Sequence, residues 1–394
     1  MKFFKYSLLA AVVMFQSCNA PKEGESEDKD TTEVASVEKV SSAPREIWSK
    51  EQANEWYKSQ PWLVGSNFNP STAINELEMW QASSFDKETI DRELGWAQEL
   101  GMNTARVYLH DLLWKADSAG FIDRLDAFLV MADNHGIKPL FVLFDSCWDP
   151  SSELGDQRDP KPHVHNSGWL QSPGKEALTD STQYPRLERY VKGVVGHFAN
   201  DERILGWDVW NEPDNTNDRA YGKVELENKV DYVLPLLKKS FVWARSVNPA
   251  QPLTSGVWLG DWSSEDKMSE LQKTQISQSD VISFHNYDDA AEFEKRINWL
   301  QRYGKPLMCT EYMARPRGST FEAFLPIARK YNIAMYNWGF VDGKTQTKYP
   351  WDSWDKQYTA EPDVWFHEVL HTDGKPYKEE EVALIKKMTA EANN

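Results

Sequence analysis

From residue 62 onward, short runs of β-branched and aromatic residues alternate with longer runs whose apolar side chains recur at helical spacing. The strand-like runs are 62–68, 102–110, 139–148, 204–212, 252–259, 281–287, 306–311 and 334–340. The helical ones are 87–100, 121–135, 185–199, 224–247, 264–276, 291–303 and 321–330, with 379–391 closing the chain. Most of the strand runs are apolar on both faces, as strands are when helices cover both sides of a parallel sheet. Gly101, Gly136 and Gly304 each end a helical run just before a strand, where a capping glycine belongs. The economical solution is an α/β fold, a (β/α)8 TIM barrel with long βα loops, occupying residues 46–394. Three connections, 69–86, 149–184 and 341–364, exceed what a simple link needs. Each follows a strand, so each is expected on the C-terminal face of the barrel as a wall around a cleft.

The first 45 residues fall outside that pattern. A basic head, an apolar stretch from Tyr6 to Phe15 too short to span a bilayer, and Ser17 before Cys18 predict a signal segment over 1–17. The arrangement resembles a bacterial lipoprotein signal, which implies lipidation of Cys18, with secretion after plain cleavage as the alternative. Residues 18–45 are rich in charged and hydroxyl side chains with almost no large apolar ones, so they predict a disordered acidic tether. Glu23 to Asp30 resembles the export signal of some surface lipoproteins, which implies the outer membrane or cell surface, with periplasmic or secreted forms as alternatives. The formal charge of −17 excludes nucleic acid as a partner and leaves the lipid anchor as the one expected membrane contact. Cys147 and Cys309 lie far apart, with no disulfide framework or metal-ligand spacing; no cofactor and no metal are expected, and a monomer is. The 18 tryptophans and 15 tyrosines supply flat apolar faces of the kind that stack on sugar rings.

Two glutamates stand out. The apolar run 204–210 stops at Asn211-Glu212-Pro213, and the run 306–310 delivers Glu311 before Tyr312. A carboxylate at the C-terminal lip of a buried strand is poorly placed for stability and well placed for chemistry. Strands four and seven face one another across the mouth of an eight-stranded barrel, so a separation near ~5 Å is expected, the spacing of a retaining mechanism at a glycosidic bond.

Trp210-Asn211-Glu212-Pro213, Thr310-Glu311-Tyr312, Arg106 in Asn103-Thr104-Ala105-Arg106-Val107, His285-Asn286-Tyr287 and Trp338 in Tyr336-Asn337-Trp338-Gly339 resemble the clan A retaining glycoside hydrolases, family 5-like cellulases and mannanases above all. The resemblance covers residues 60–390 and implies a β-glycoside hydrolase acting by double displacement on a β-linked polysaccharide or oligosaccharide of glucan, mannan or xylan type. It implies Glu311 as nucleophile, with Arg106 and Tyr287 stabilising its charge, and Glu212 as acid/base, with a pKa raised by the neighbouring Glu311. It also implies Asn211 on the sugar 2-hydroxyl, Trp338 as the floor beneath the ring, and His285 beside Tyr287 or the sugar.

Position alone adds weaker candidates. Asn67 and Asn69 leave strand one, His110 and Asp111 strand two, and Asp145 and Trp148 strand three, each in reach of sugar hydroxyls or of the cleft wall. Trp80, the segment 344–347, Trp351 and Trp354 are candidates for more distant sugar sites. His163-Val164-His165 reads as loop, since no third metal ligand accompanies it. A glycan-binding protein on a retired barrel is the competing reading; it would keep the aromatics and tolerate loss of a carboxylate.

Overall fold

The computed structural model describes residues 44–392. The expected signal segment and Cys18 lie outside the described residues. Eight strands, β1 (Val64–Phe68), β2 (Thr104–Tyr108), β3 (Lys138–Val142), β4 (Gly206–Asp208), β5 (Leu253–Thr254), β6 (Ile282–His285), β7 (Leu307–Tyr312) and β8 (Ala334–Asn337), form one sheet. Its order is β5-β4-β3-β2-β1-β8-β7-β6, and every pairing is parallel. Val257 joins the two edges: its N–H donates to Ser283 O at 3.1 Å and its carbonyl accepts from His285 N at 3.0 Å. The sheet is thereby closed as the predicted barrel.

Each predicted helix is present among the described residues, with shifted ends. The helix read from 121 begins at Asp111 and breaks at Asp117, whose carboxylate accepts from Gly120 N at 2.9 Å and restarts the helix as a local cap. The helix read from 224 begins at Lys229, because 218–228 is held in turns around the Glu225 carboxylate, which accepts from Gln171, Asn217 and Lys229. Gly101, Gly136 and Gly304 have φ of +77°, +66° and +66°, the left-handed conformation their capping role requires. An additional helix, Lys50–Lys58, precedes β1; a Ser49/Gln52 capping box starts it. Its Ala53 and Tyr57 pack on Leu63, Leu140, Leu205, Val281, Met308, Ala334 and Tyr336, and so plug the N-terminal end of the barrel.

Above that apolar floor the interior turns polar. Thr104 Oγ1 meets Tyr336 Oη at 3.0 Å, Thr254 Oγ1 meets Ser283 Oγ at 2.7 Å, and Arg106 faces Asp208. Higher still, Tyr108, Val142, Cys147 and Trp169 cluster with Trp148 and Trp338. The barrel lumen is thus graded from apolar to ionic toward the face that carries the long loops.

Candidate active site

Strand alternation by itself would not deliver Glu311. Leu307 and Cys309 pack outward against the helices, and Glu311, two residues on, would follow them. The pairing of β6 with β7 runs Phe284 with Cys309 and then His285 with Glu311, so Thr310 is an extra residue and the bulge swings Glu311 into the mouth. Glu212 is aimed by a different device. Val209 and Trp210 both pack outward, and Glu212 sits at φ +40°, a left-handed conformation that costs a non-glycine residue of order 1 kcal/mol or more. Hydrogen bonds on both sides hold it there: Asn211 N to Phe144 O at 2.8 Å and Asn215 N to Glu212 O at 2.9 Å.

Arg106, wholly buried, is the hub beneath the pair. Its Nε and Nη2 donate to Asp208 Oδ2 at 3.1 and 2.8 Å, Nη1 to Glu311 Oε1 at 2.8 Å and to Asn67 Oδ1 at 2.9 Å, and Nη2 to Asn211 Oδ1 at 2.7 Å. Burial opposes its charge, yet Tyr108, Asp208 and Glu311 more than offset that and keep it a cation. Glu311 meets donors only: besides Arg106, Tyr108 Oη at 2.9 Å on Oε1 and Tyr287 Oη at 2.8 Å on Oε2. Burial, then the Glu311 charge, push the Tyr287 phenol well above its ordinary value, so it stays a donor. Glu212 keeps other company: His285 Nδ1 at 2.8 Å on Oε1, and Asn215 Nδ2 at 2.7 Å and Cys147 Sγ at 3.2 Å on Oε2.

One side-chain atom each of Glu212, His285 and Glu311 lies within 4.8 Å of the others. This is the spacing at which two carboxyl groups can address one anomeric carbon. Both carboxylates already have protein partners, Glu311 in Arg106 at 2.8 Å and Glu212 in His285 at 2.8 Å. The pKa of Glu212 departs from expectation: burial pushes it up, but the hydrogen bond and charge of His285, then Cys147 and Asn215, prevail and hold it below its ordinary value. The rise expected from the neighbouring Glu311 charge is thus outweighed by these donors.

A cleft of about 410 Å³ opens above the pair, lined among others by Asn211, Trp148, Trp258, Tyr287, Trp338 and Trp351. Asn211 is fixed from both ends, since its Nδ2 donates to Asp145 Oδ1 at 2.9 Å while Arg106 binds its oxygen. Asp145 does not line the cleft; burial lifts its pKa to about 6 against donors from Trp169, Asn211 and Cys147 N, and it orients Asn211 from below. Asn67 also lies beneath the site, donating to Thr310 O and supporting Arg106. His110 is buried away from the cleft, with Nδ1 accepting from Leu112 N at the start of a helix, and burial lowers its pKa to about 4. Sugar contacts expected of Asn67, His110 and Asp145 are therefore replaced by supporting roles. Trp80 is core, donating to Tyr108 O, and Asp111 pairs with Arg186 and Ser172.

The sequence profile described as Cellulase (glycosyl hydrolase family 5) matches residues 98–356. The chain belongs to glycosyl hydrolase family 5. Among curated proteins it is similar to mannan endo-1,4-β-mannosidase A of Hypocrea jecorina, 21% identical over 309 residues, covering 74% of this chain and 66% of that one. Another relative is endo-1,4-β-xylanase A of Butyrivibrio fibrisolvens, 30% identical over 132 residues, 32% of this chain and 30% of that protein. The chain thus matches less than two thirds of either relative's length. Among solved structures, GH5_18 from Streptomyces cattleya in complex with GlcNAc superposes with a TM-score of 0.56 at 12% identity, over 84% of this chain and 80% of the other. At that identity the likeness concerns the family 5 barrel alone.

Several residues of the site escaped the sequence reading. Asp208 had a signal, because a lone carboxylate inside the apolar run Gly206-Trp207-Asp208-Val209-Trp210 demands a buried cation. Tyr108 also had one: two positions past Arg106 on a strand, it shares the same face. Asn215, Trp169 and His367 lie in irregular segments, where no periodicity reveals direction, and Trp258, within the run 252–259, lies past the end of β5 at Thr254.

Proposed function

We propose that this chain is a retaining β-glycoside hydrolase that cleaves a β-linked oligosaccharide or polysaccharide with Glu311 as nucleophile and Glu212 as acid/base. The observation that carries this reading is the unequal setting of two close carboxyl groups: Glu311 faces a cation and two phenols, Glu212 an imidazole, an amide and a thiol. Glu311 attacks the anomeric carbon, and the Tyr287 and Tyr108 hydroxyls with Arg106 hold its carboxylate in line. Glu212 protonates the departing oxygen. His285 touches both glutamates, at 2.8 Å and 3.5 Å, and so fixes how the Glu212 carboxyl is turned relative to Glu311. Once Glu311 is esterified its negative charge is gone, so Glu212 more readily stays ionised and accepts a proton from the incoming water.

The relatives named above favour mannan- or xylan-type β-1,4 links as the first substrates to try. Export of the protein and lipidation of Cys18 belong to the same proposal; loss of membrane-associated protein in Cys18→Ala is the check. Glu311→Ala is expected to lose at least about 10⁴-fold in kcat, with azide restoring turnover and yielding a glycosyl azide of inverted configuration. A carbohydrate-binding role on a silent barrel would instead leave sugar affinity without turnover in the unsubstituted protein. That result overturns the proposal.

A further inference from the structure

The acid fixes which way a substrate lies. Glu212 must reach the leaving oxygen, so the leaving group lies beside Glu212, among Asn215, Arg219 and Trp258, which line the same cleft. The sugar under attack lies over Glu311 and Trp338, and the rest of the chain on its non-reducing side would have to continue away from Glu212, toward the mouths of β1 and β2. That direction is walled. Trp169 packs edge-on against Trp338 and Tyr108, with ring centres 5.7 and 5.1 Å apart, and its indole N–H is anchored on Asp145 at 2.7 Å. Behind these rings, toward Asn67, Thr345 and Thr347, only about 20 Å³ of space remains, room for one water.

The wall is braced from above. The loop after β3 and the loop after β8 are tied across that side by Asn166 N to Thr345 O at 2.8 Å, His165 N to Ser353 Oγ at 2.9 Å, Trp354 Nε1 to His165 O at 2.9 Å, and Trp148 stacked on Trp354 at 5.8 Å. Two histidines face the cleft, His165 of the brace and His367, which packs on it with ring centres 5.3 Å apart. Their Nδ1 atoms are engaged by the carbonyls of Tyr349 and Met313, so Nδ1 carries the hydrogen and each Nε2 is left as an acceptor. Burial lowers both pKa values, His165 to about 4, so both rings are neutral near pH 7. Acceptors suit the free hydroxyls of a terminal sugar. The ether oxygen of a continuing chain has no hydrogen to give them.

Resting on the hydrolase reading above, we propose that the enzyme is exo-acting: its glycone site holds a single sugar and removes it from the non-reducing end. The full chain is tested on reducing-end-labelled β-1,4-linked hexasaccharides of mannose, glucose and xylose, each also with the terminal 4-hydroxyl methylated. For whichever series is cleaved, the first labelled product should be one sugar shorter and the released product a monosaccharide. The methyl cap should slow cleavage by at least about a hundredfold. First labelled products shorter by two or more sugars, or capped chains cut at the uncapped rate, overturn exo action and leave the hydrolase standing. Silence on every series, including aryl monoglycosides, sinks the hydrolase reading and this inference together.

Discussion

Glu212 and Glu311 are the same side chain in two settings, and the neighbours decide their roles. Around Glu311 a fixed cation is shared with Asp208 and with the Asn211 carbonyl, so Arg106 sets the nucleophile's position as well as its charge. A lysine there would keep the charge and lose the fork that reaches Asn67, Asp208, Asn211 and Glu311 at once. Around Glu212 the Cys147 thiol matters more than its type suggests. Burial and the nearby carboxylates Asp145, Glu212 and Glu311 keep it a thiol, so it donates to Glu212 and favours the ionised form. Removing that donor in Cys147→Ala should raise the pKa of Glu212. The acid must be protonated in the free enzyme, so the basic limb of kcat/KM against pH should move to higher pH, with the acidic limb less affected. An unmoved or downward-shifted basic limb counts against Glu212 as the acid that Cys147 tunes.

Elements were legible where periodicity carries the information, and misread where a local contact overrides it. All eight strands and the barrel order follow from apolar runs that pack on both faces, whereas the direction of Glu311 depends on the bulge at Thr310, which leaves no trace in hydrophobicity. Asn67 and Asp145 were correctly sited on strand lips, but whether such a side chain points up into the cleft or down onto Arg106 and Asn211 depends on neighbouring strands. The helix Lys50–Lys58 lies inside the span 46–394 assigned to the barrel but shows no periodicity that marks it, since six of its nine residues are charged or polar and its buried face is only Ala53 and Tyr57. Its packing nevertheless closes the barrel floor, and Arg45 just before it is paired with Asp280 at 2.6 Å. Tyr57→Ala should cost about 3 kcal/mol of stability in denaturant titration, while kcat at 25 °C stays within about twofold of the parent because the site lies at the other end of the lumen. A large fall in kcat at unchanged stability would mean that the floor and the mouth are coupled.

The whole molecule carries a set of buried titrating groups whose effects on stability oppose one another. Burial raises the pKa of Glu93 to about 7, of Asp145 to about 6 and of Glu368 to about 8, so the folded chain holds protons on them that the unfolded chain releases nearer pH 4. Stability from these three is intact below the unfolded values and declines as pH rises toward the folded ones. Burial works the other way on His110 and His165, lowered to about 4: the unfolded chain takes up their protons first, so stability falls as pH drops below about 6.5. Between about pH 4 and 6.5 the two trends overlap and oppose one another. Glu368 separates the trends, because it is wholly buried, lies outside the catalytic hydrogen-bond network, and has one oxygen bonded by Thr347 Oγ1 while the other has no hydrogen-bond partner among the described residues. Glu368→Gln keeps the acceptor for Thr347 and removes the titration. The variant should therefore gain stability relative to the parent as pH rises from about 5 to about 8, by on the order of 3 kcal/mol across that interval. Urea titrations at the two ends of the interval measure the difference directly, and an offset that does not grow with pH would mean that Glu368 is already ionised in the fold.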